Sequence, residues 1–315
     1  VWAEKSQETE KVQVQHHHAH ILSVMAEHHV DEILGLSFDG TGYGTDGTIW
    51  GGEILYATRF GFKRFGSFKP FRLPGGEAAV RHPMRTAYSL LSQKMGKEEA
   101  LRYTDFSSDE RLIVPDMVER GINSPLTSSL GRLFDAAGAL LGLVQTVGYE
   151  GEGPMKLEGR ALRVYQQSLH EHEVSSSTGI EQYILMDKIR PAAEDKTDDR
   201  AGDSTVGESG YETEFVLDAV PLLQYIAERR NEDQVEELAC LFHEAVADAA
   251  VRGAEYMRKT TGIRDIALSG GVFQNALLLS LITPRLERRG FSVYTNAVVP
   301  PGDGGISLGQ IYFLG

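Results

Sequence analysis

The 315-residue sequence predicts an α/β protein whose loops close on a ligand cleft. Three observations carry this. Short apolar strands alternate with amphipathic helices along the chain, as in layered α/β domains. Glycine-rich turns at 39–48, 148–154, 269–271 and 302–305 lie between these elements. Two of the junctions also echo each other, because 33–44 and 266–275 are each an apolar strand that runs into a small-residue loop. A duplicated nucleotide-binding lobe would show that echo, although it is too short to establish duplication.

His16–His28 reads as a helix with Ile21, Leu22, Val24 and Met25 as its apolar members. Residues 33–38 form a short apolar strand, 39–52 a glycine-rich turn region, and 53–59 and 64–71 returning strands. Helices follow at 83–95, 109–120 and 130–147, the last capped by Ser128 or Ser129. The turn at 148–154 leads into a helix from about 155 to 169. Residues 192–214 are acidic, polar and poor in apolar side chains, and are expected to form a mobile surface excursion inside a domain. Helices at 220–230 and 232–261 precede a strand at 265–268, a helix at 273–289, a strand at 291–295 and a last loop at 300–305 that opens the final helix.

Composition narrows the function classes. The net charge of -14 argues against a nucleic-acid-binding surface spread over the whole molecule. A single cysteine, Cys240, rules out an intrachain disulfide and a cysteine-built zinc site within the chain. It lies among Leu238, Leu241 and Phe242 and reads as a core residue rather than a nucleophile. No apolar run of about 18 residues is present, so no membrane span is expected. Residues 1–15 lack the apolar centre of a signal peptide and an initiator Met, so a cytoplasmic fragment of a longer protein is expected.

The chemistry-bearing residues are clustered. His16 and His20 are four apart, which puts both imidazoles on one helical face, within reach of one metal ion. Asp39 ends the first apolar strand and adds a carboxylate. The bland alternative is a histidine-rich, polar helix start. The acidic spacing does not fit a calcium loop, and a mixed His/Asp set suits zinc, iron or manganese better. Gly40, Gly42, Gly44 and Gly47 would let backbone N–H groups approach an anion, or would simply make a tight turn. Gly270 and Gly271 precede a helix and would place a phosphate or ribose at its N-terminus. Asp303 stands just before the last helix, where an N-cap is the plain reading. No Walker loop, dinucleotide-binding fingerprint or serine nucleophile elbow is present.

Longer blocks go beyond pattern. Val14-Gln15-His16-His17-His18-Ala19-His20, the run from Phe38-Asp39-Gly40-Thr41-Gly42-Tyr43-Gly44 to Glu53, and Leu73-Pro74-Gly75-Gly76 resemble the C-terminal half of the HypF carbamoyltransferases. So do Thr127-Ser128-Ser129-Leu130-Gly131-Arg132-Leu133-Phe134-Asp135-Ala136, Leu268-Ser269-Gly270-Gly271-Val272-Phe273-Gln274-Asn275 and Pro300-Pro301-Gly302-Asp303-Gly304-Gly305. The blocks keep the expected order over nearly the whole chain. The resemblance implies an actin/Hsp70-like (ASKHA) two-lobed fold, shared with TsaD-type tRNA threonylcarbamoyl transferases and antibiotic O-carbamoyltransferases. It implies one carbamoyltransferase domain with lobes of about 1–130 and 131–315, the C-terminal helix being free to return to the first.

Carried over residue by residue, the resemblance implies a metal held by His16, His20, Asp39 and Asp303, with His17 and His18 left to supporting roles. The metal would be Fe, Zn or Mn, or Mg with the nucleotide. The nucleotide (ATP, carbamoyl adenylate or AMP) is expected across Gly40, Thr41, Gly42, Tyr43, Gly44, Asp135, Gly151, Glu152, Gly270, Gly271 and Asn275. One departure stands in the turn Tyr149-Glu150-Gly151-Glu152-Gly153-Pro154-Met155-Lys156-Leu157-Glu158, where Lys156 replaces a carboxylate expected near the ribose.

The family's upstream acylphosphatase-like, zinc-finger and YrdC-like domains are not in this sequence, and the YrdC-like one makes carbamoyl adenylate from carbamoyl phosphate and ATP. The implied reaction passes the carbamoyl group to the C-terminal cysteine of HypE, toward the cyanide ligands of [NiFe]-hydrogenase. Alternatives are a small-molecule hydroxyl or tRNA adenosine as acceptor, or a non-catalytic module that binds nucleotide or docks HypE. The acidic balance argues against tRNA, and neither membrane nor nucleic acid is expected as a partner.

Overall fold

The apolar run that begins at Ile33 becomes the central strand of a nine-stranded mixed sheet. The structure, a computed structural model, describes residues 11–170, 179–189, 213–230 and 234–315. Residues 190–212, which include most of the expected acidic excursion, lie outside the described residues, as do 1–10.

Strand β1 (Glu32–Tyr43) is buried from Ile33 to Asp39 because both its faces are covered. Helix α1 (His16–His28) covers one face, packing Ile21, Leu22 and Met25 in a cluster with Ile33 and Ala267. Leu34, Leu36 and Phe38 point the other way, into the main core, as the two-residue period of a strand requires. β2 (Ile49–Thr58) pairs antiparallel with β1, and β3 (Gly61–Phe68) antiparallel with β2. The short β4 (Phe71–Arg72) and β5 (Leu126–Thr127) pair with each other, and β5 also meets β2.

Helices α2 (Glu77–Arg81), α3 (Met84–Met95), α4 (Lys97–Leu101) and α5 (Ser108–Arg120) lie between those two short strands in the chain. α6 (Leu130–Leu140), α7 (Glu152–His170), α8 (Val220–Arg229) and α9 (Val235–Thr261) contribute to the main core. β6 (Leu185–Lys188) and β7 (Phe215–Asp218) extend the sheet beyond β3. β8 (Asp265–Ser269) pairs parallel with β1 on the other side, and β9 (Ser292–Thr295) parallel with β8 through the crossover helix α10 (Ala276–Arg288). The last helix, α11 (Ile306–Leu314), packs on α1. They meet at Gly309, where a Cβ would fall on the carbonyl oxygen of Ala19.

Several local expectations shift. β1 does not stop at Phe38; it continues to Tyr43 with a register irregularity between Phe38 and Gly42. The expected open turn over 39–52 therefore shrinks to the tip around 44–48, closed by the Gly44 N–H donating to Thr48 O at 2.9 Å. Glycine inside a strand marks a bulge or a close approach as often as a loop. α6 ends at Leu140 rather than 147, although Leu141, Leu143 and Val144 continue its apolar pattern. Gly142 at φ 71° turns the chain, and the Leu143 N–H bonds back to Gly138 O at 2.9 Å. The helix expected from Phe273 is divided into a 3₁₀ turn (Gly271–Gln274) and α10, because the Asn275 side chain caps the Leu278 N–H at 2.8 Å.

Candidate functional site

α1 begins where Gln15 caps it, its side-chain oxygen accepting from the His18 N–H at 2.8 Å. One turn then separates His16 from His20, and their Nε2 atoms lie 3.2 Å apart. Asp39 arrives at the bulge of β1, with Oδ2 2.9 Å from His16 Nε2 and 3.5 Å from His20 Nε2. Asp303, from the loop before α11, brings Oδ1 to 3.7 and 3.8 Å from the same two nitrogens. The four donor atoms lie within 4.8 Å of one another.

The donor set fits a divalent cation. His16 Nε2 faces two carboxylates and a second imidazole nitrogen, and the one proton an imidazole nitrogen carries cannot serve all three. Asp39 is oriented from behind, because its Oδ1 accepts the Gly271 N–H at 3.0 Å while Oδ2 faces the histidines. Burial works against its charge, but hydrogen bonds with His16 and His20 outweigh that and hold the carboxyl well below the usual carboxylate range.

Beside this cluster opens a cleft of about 600 Å³. Asp39 and Asp303 line it, with Gly40, Thr41, Gly151, Gly271 and Asn275 of the expected nucleotide residues. The cleft thus gathers β1, the turn before α7, the turn after β8 and the loop before α11.

Comparison with known proteins decides the family. The family model described as "Carbamoyltransferase, Kae1-like Domain, second subdomain" matches residues 35–208 and 192–310, and "HypF Kae1-like domain" matches 1–27. Carbamoyltransferase HypF2 of Cupriavidus necator is 36% identical over 302 residues, 96% of this chain and 36% of the relative. A carbamoyltransferase HypF homolog of the same organism is 34% identical over 96% of this chain and 70% of its own length. The chain belongs to the HypF carbamoyltransferase family. The crystal structure of full-length HypF in its phosphate- and nucleotide-bound form superposes with a TM-score of 0.81 at 34% identity, covering 99% of this chain and 37% of that one. The Kae1-like, ASKHA-type α/β fold expected of the family is the fold observed. The chain spans about a third of the length of these full-length HypF proteins.

Not every residue that the HypF resemblance nominates reaches the cleft wall. Gly42 lies under the imidazoles, where a Cβ would come within 2.5 Å of both His16 and His17. Gly44 is instead filled by the Trp50 ring, Tyr43 is solvent-exposed, and Gly270 crosses against the backbone of Phe38. Glu152 turns to Lys156 at 2.7 Å and to the Gly148 N–H, also at 2.7 Å. Asp135 is buried beneath the wall, 3.0 Å from Arg132 Nη2.

Lys156, the departure from the family turn, lines a separate hollow with Arg160 and Arg163. Glu158 of the same turn does line the cleft, and its Oε1 accepts the Leu277 N–H at 3.0 Å. His17 packs on Trp50 with ring centroids 5.8 Å apart, and His18 Nε2 lies 2.8 Å from Thr58 O.

Sequence reasoning missed Arg132, Phe134, Glu158 and Gln274, all of which line the cleft, while Met155 of the expected 150–156 turn lines it as well. Arg132 and Phe134 stood inside a quoted block, but helical spacing alone does not say which face meets a ligand. Also missed was His243, fully buried on α9, whose Nδ1 lies 2.8 Å from Ala239 O. A protonated Nδ1 donating to that carbonyl leaves Nε2 to accept from Asn275 Nδ2 at 3.0 Å. Asn275 is thereby fixed, oxygen on the helix cap and amide on the histidine.

Proposed function

We propose that the chain catalyses carbamoyl transfer from carbamoyl adenylate to the C-terminal cysteine thiol of HypE. The observation that carries this is the convergence of His16, His20, Asp39 and Asp303 at the edge of a cleft walled by glycine backbone. Two lobes, divided near residue 130, would close on the nucleotide. An ion held by those four side chains would act as a Lewis acid, neutralising phosphate charge as AMP departs.

The chain's own residues supply the rest. Small residues such as Gly40 and Gly151 leave backbone N–H groups accessible to phosphate oxygens. Asn275, held by His243, presents one fixed amide face to the cleft. The HypE thiolate attacks the carbamoyl carbon, a C–S bond forms, and the C–O bond to the phosphate breaks with its electron pair leaving on AMP. No enzyme nucleophile is needed. Cys240 is half-buried outside the cleft wall, and burial followed by Glu244 pushes its thiol up to about 11.

HypE as partner, the upstream HypF domains as the source of carbamoyl adenylate, and a cytoplasmic location belong to the same proposal. Among the described residues no helix is long and apolar enough to cross a membrane.

The test supplies carbamoyl adenylate and HypE to the wild type and to the His16→Ala/His20→Ala variant. Metal content is measured alongside, and mass spectrometry reads the acceptor. Loss of both metal and transfer is expected in the variant. Full transfer by the metal-free variant, or a carbamoyl group on another acceptor only, overturns the reading.

A further inference from the structure

We propose that Arg132 is the receptor for a phosphoryl oxyanion in the cleft, and that Asp135 positions it rather than touching ribose. The inference rests on the nucleotide reading above and assigns a residue to it.

Arg132 stands in the first turn of α6, its backbone N–H bonded to the capping Ser129 Oγ at 3.2 Å. A cation here opposes the helix dipole, so helix stability does not explain its presence. It is 8% exposed yet lines the cleft. Nη2 pairs with Asp135 at 3.0 Å, but Nε is buried and has no hydrogen-bond partner. A buried guanidinium with an orphaned donor is costly, and an anion entering the cleft would answer that cost.

Two neighbours shape the approach. At Gly40 an added Cβ would already touch Nη2, at 3.5 Å, so the glycine keeps the space beside the guanidinium clear. Gly40 directly follows Asp39, so an anion at Arg132 borders the ligand cluster. Asp135 is walled in by α7, where a Cβ on Gly153 would come within 2.7 Å of its Oδ1. It therefore holds the guanidinium from behind, while the planar fork matches phosphoryl oxygens.

Titration calorimetry on the 315-residue chain tests this with AMP, adenosine and inorganic phosphate as probes. Wild type should bind AMP more tightly than adenosine. Arg132→Gln should lose about tenfold or more in AMP affinity while adenosine binding is unchanged, as expected for a lost charge-assisted contact. Arg132→Lys keeps the charge and should fall between, again for AMP only. Phosphate should compete with AMP in wild type and not in Arg132→Gln.

Parallel losses for AMP and adenosine in both variants overturn the proposal, and so does unchanged AMP affinity in either. Should Arg132→Gln melt far below wild type, the Arg132→Lys comparison decides. A wild type that binds neither AMP nor adenosine overturns the nucleotide reading itself; one that binds both equally overturns the phosphoryl assignment alone.

Discussion

His16 and His20 reach one point because one helical turn separates them, and Gly42 lets the strand beneath come close enough to support their rings. Gly42→Ala should therefore push on the His16 and His17 rings while leaving all four donor residues in place. We expect metal affinity to fall by roughly 10–100-fold, the range seen when the support of a ligand is disturbed, as read by competition with a chromogenic chelator.

His243 gives a pH prediction. Burial lowers it to about 4 in the fold against 6.5 for an unperturbed imidazole. The unfolded chain then binds more protons between those values, so stability is full above pH 6.5 and is lost as pH falls toward 4. The loss is on the order of 3 kcal/mol. His17 and His18, also lowered chiefly by burial, add to the trend. The measurement is therefore the difference in thermal unfolding between wild type and His243→Gln at pH 7, 6 and 5, with a shallower slope in the variant.

Among elements, α6 joins the two chemistries of the site. Its cap residue Ser129 donates its hydroxyl toward the carbonyls of Asp39 at 3.0 Å and Gly40 at 2.6 Å, and accepts the Arg132 N–H. Ser129→Ala should cost about 1–2 kcal/mol in chemical denaturation, the upper part of the usual range for a lost N-cap. It should also weaken metal binding, because the bulge carrying Asp39 loses its clamp; unaltered metal affinity would show that the bulge holds itself.

Elements whose cause is local were legible in the sequence. The His16–His28 helix has the observed bounds, and the alternating core of β1 is where the apolar run put it. The packing of Gly42 under the imidazoles was not legible, because a glycine that admits an imidazole and one that admits a phosphate are written alike. Arg132 escaped notice because its environment is made by Asp135 on the same helix, Gly40 on β1 and the cleft beyond. No single segment contains that information.

Across the whole molecule, the candidate ligand set brings residues 16–39 to residue 303, and an ion bound there would act as a cross-link between them. At a free metal concentration one hundred times its Kd the ion should add about 2.7 kcal/mol, which calorimetry would read as a melting rise of several degrees in wild type and a smaller one in Asp303→Ala. The packing of α11 on α1 supports the same junction. Gly309→Val should clash with Ala19, destabilise by about 1–3 kcal/mol or more through overpacking, and lower metal affinity together with the melting temperature.

The parallel pairing of β1 with β8 also sets an order of events during synthesis. β1 leaves the ribosome before its neighbour on that side, which is made more than two hundred residues later. Until then one edge of β1 is unpaired, Asp39 lacks the Gly271 N–H that orients it, and the histidines lack Asp303. Capture of an ion by all four side chains would therefore have to wait until translation has passed residue 303. An ion loaded only into this arrangement would enter only chains in which both β8 and the loop carrying Asp303 have already been made.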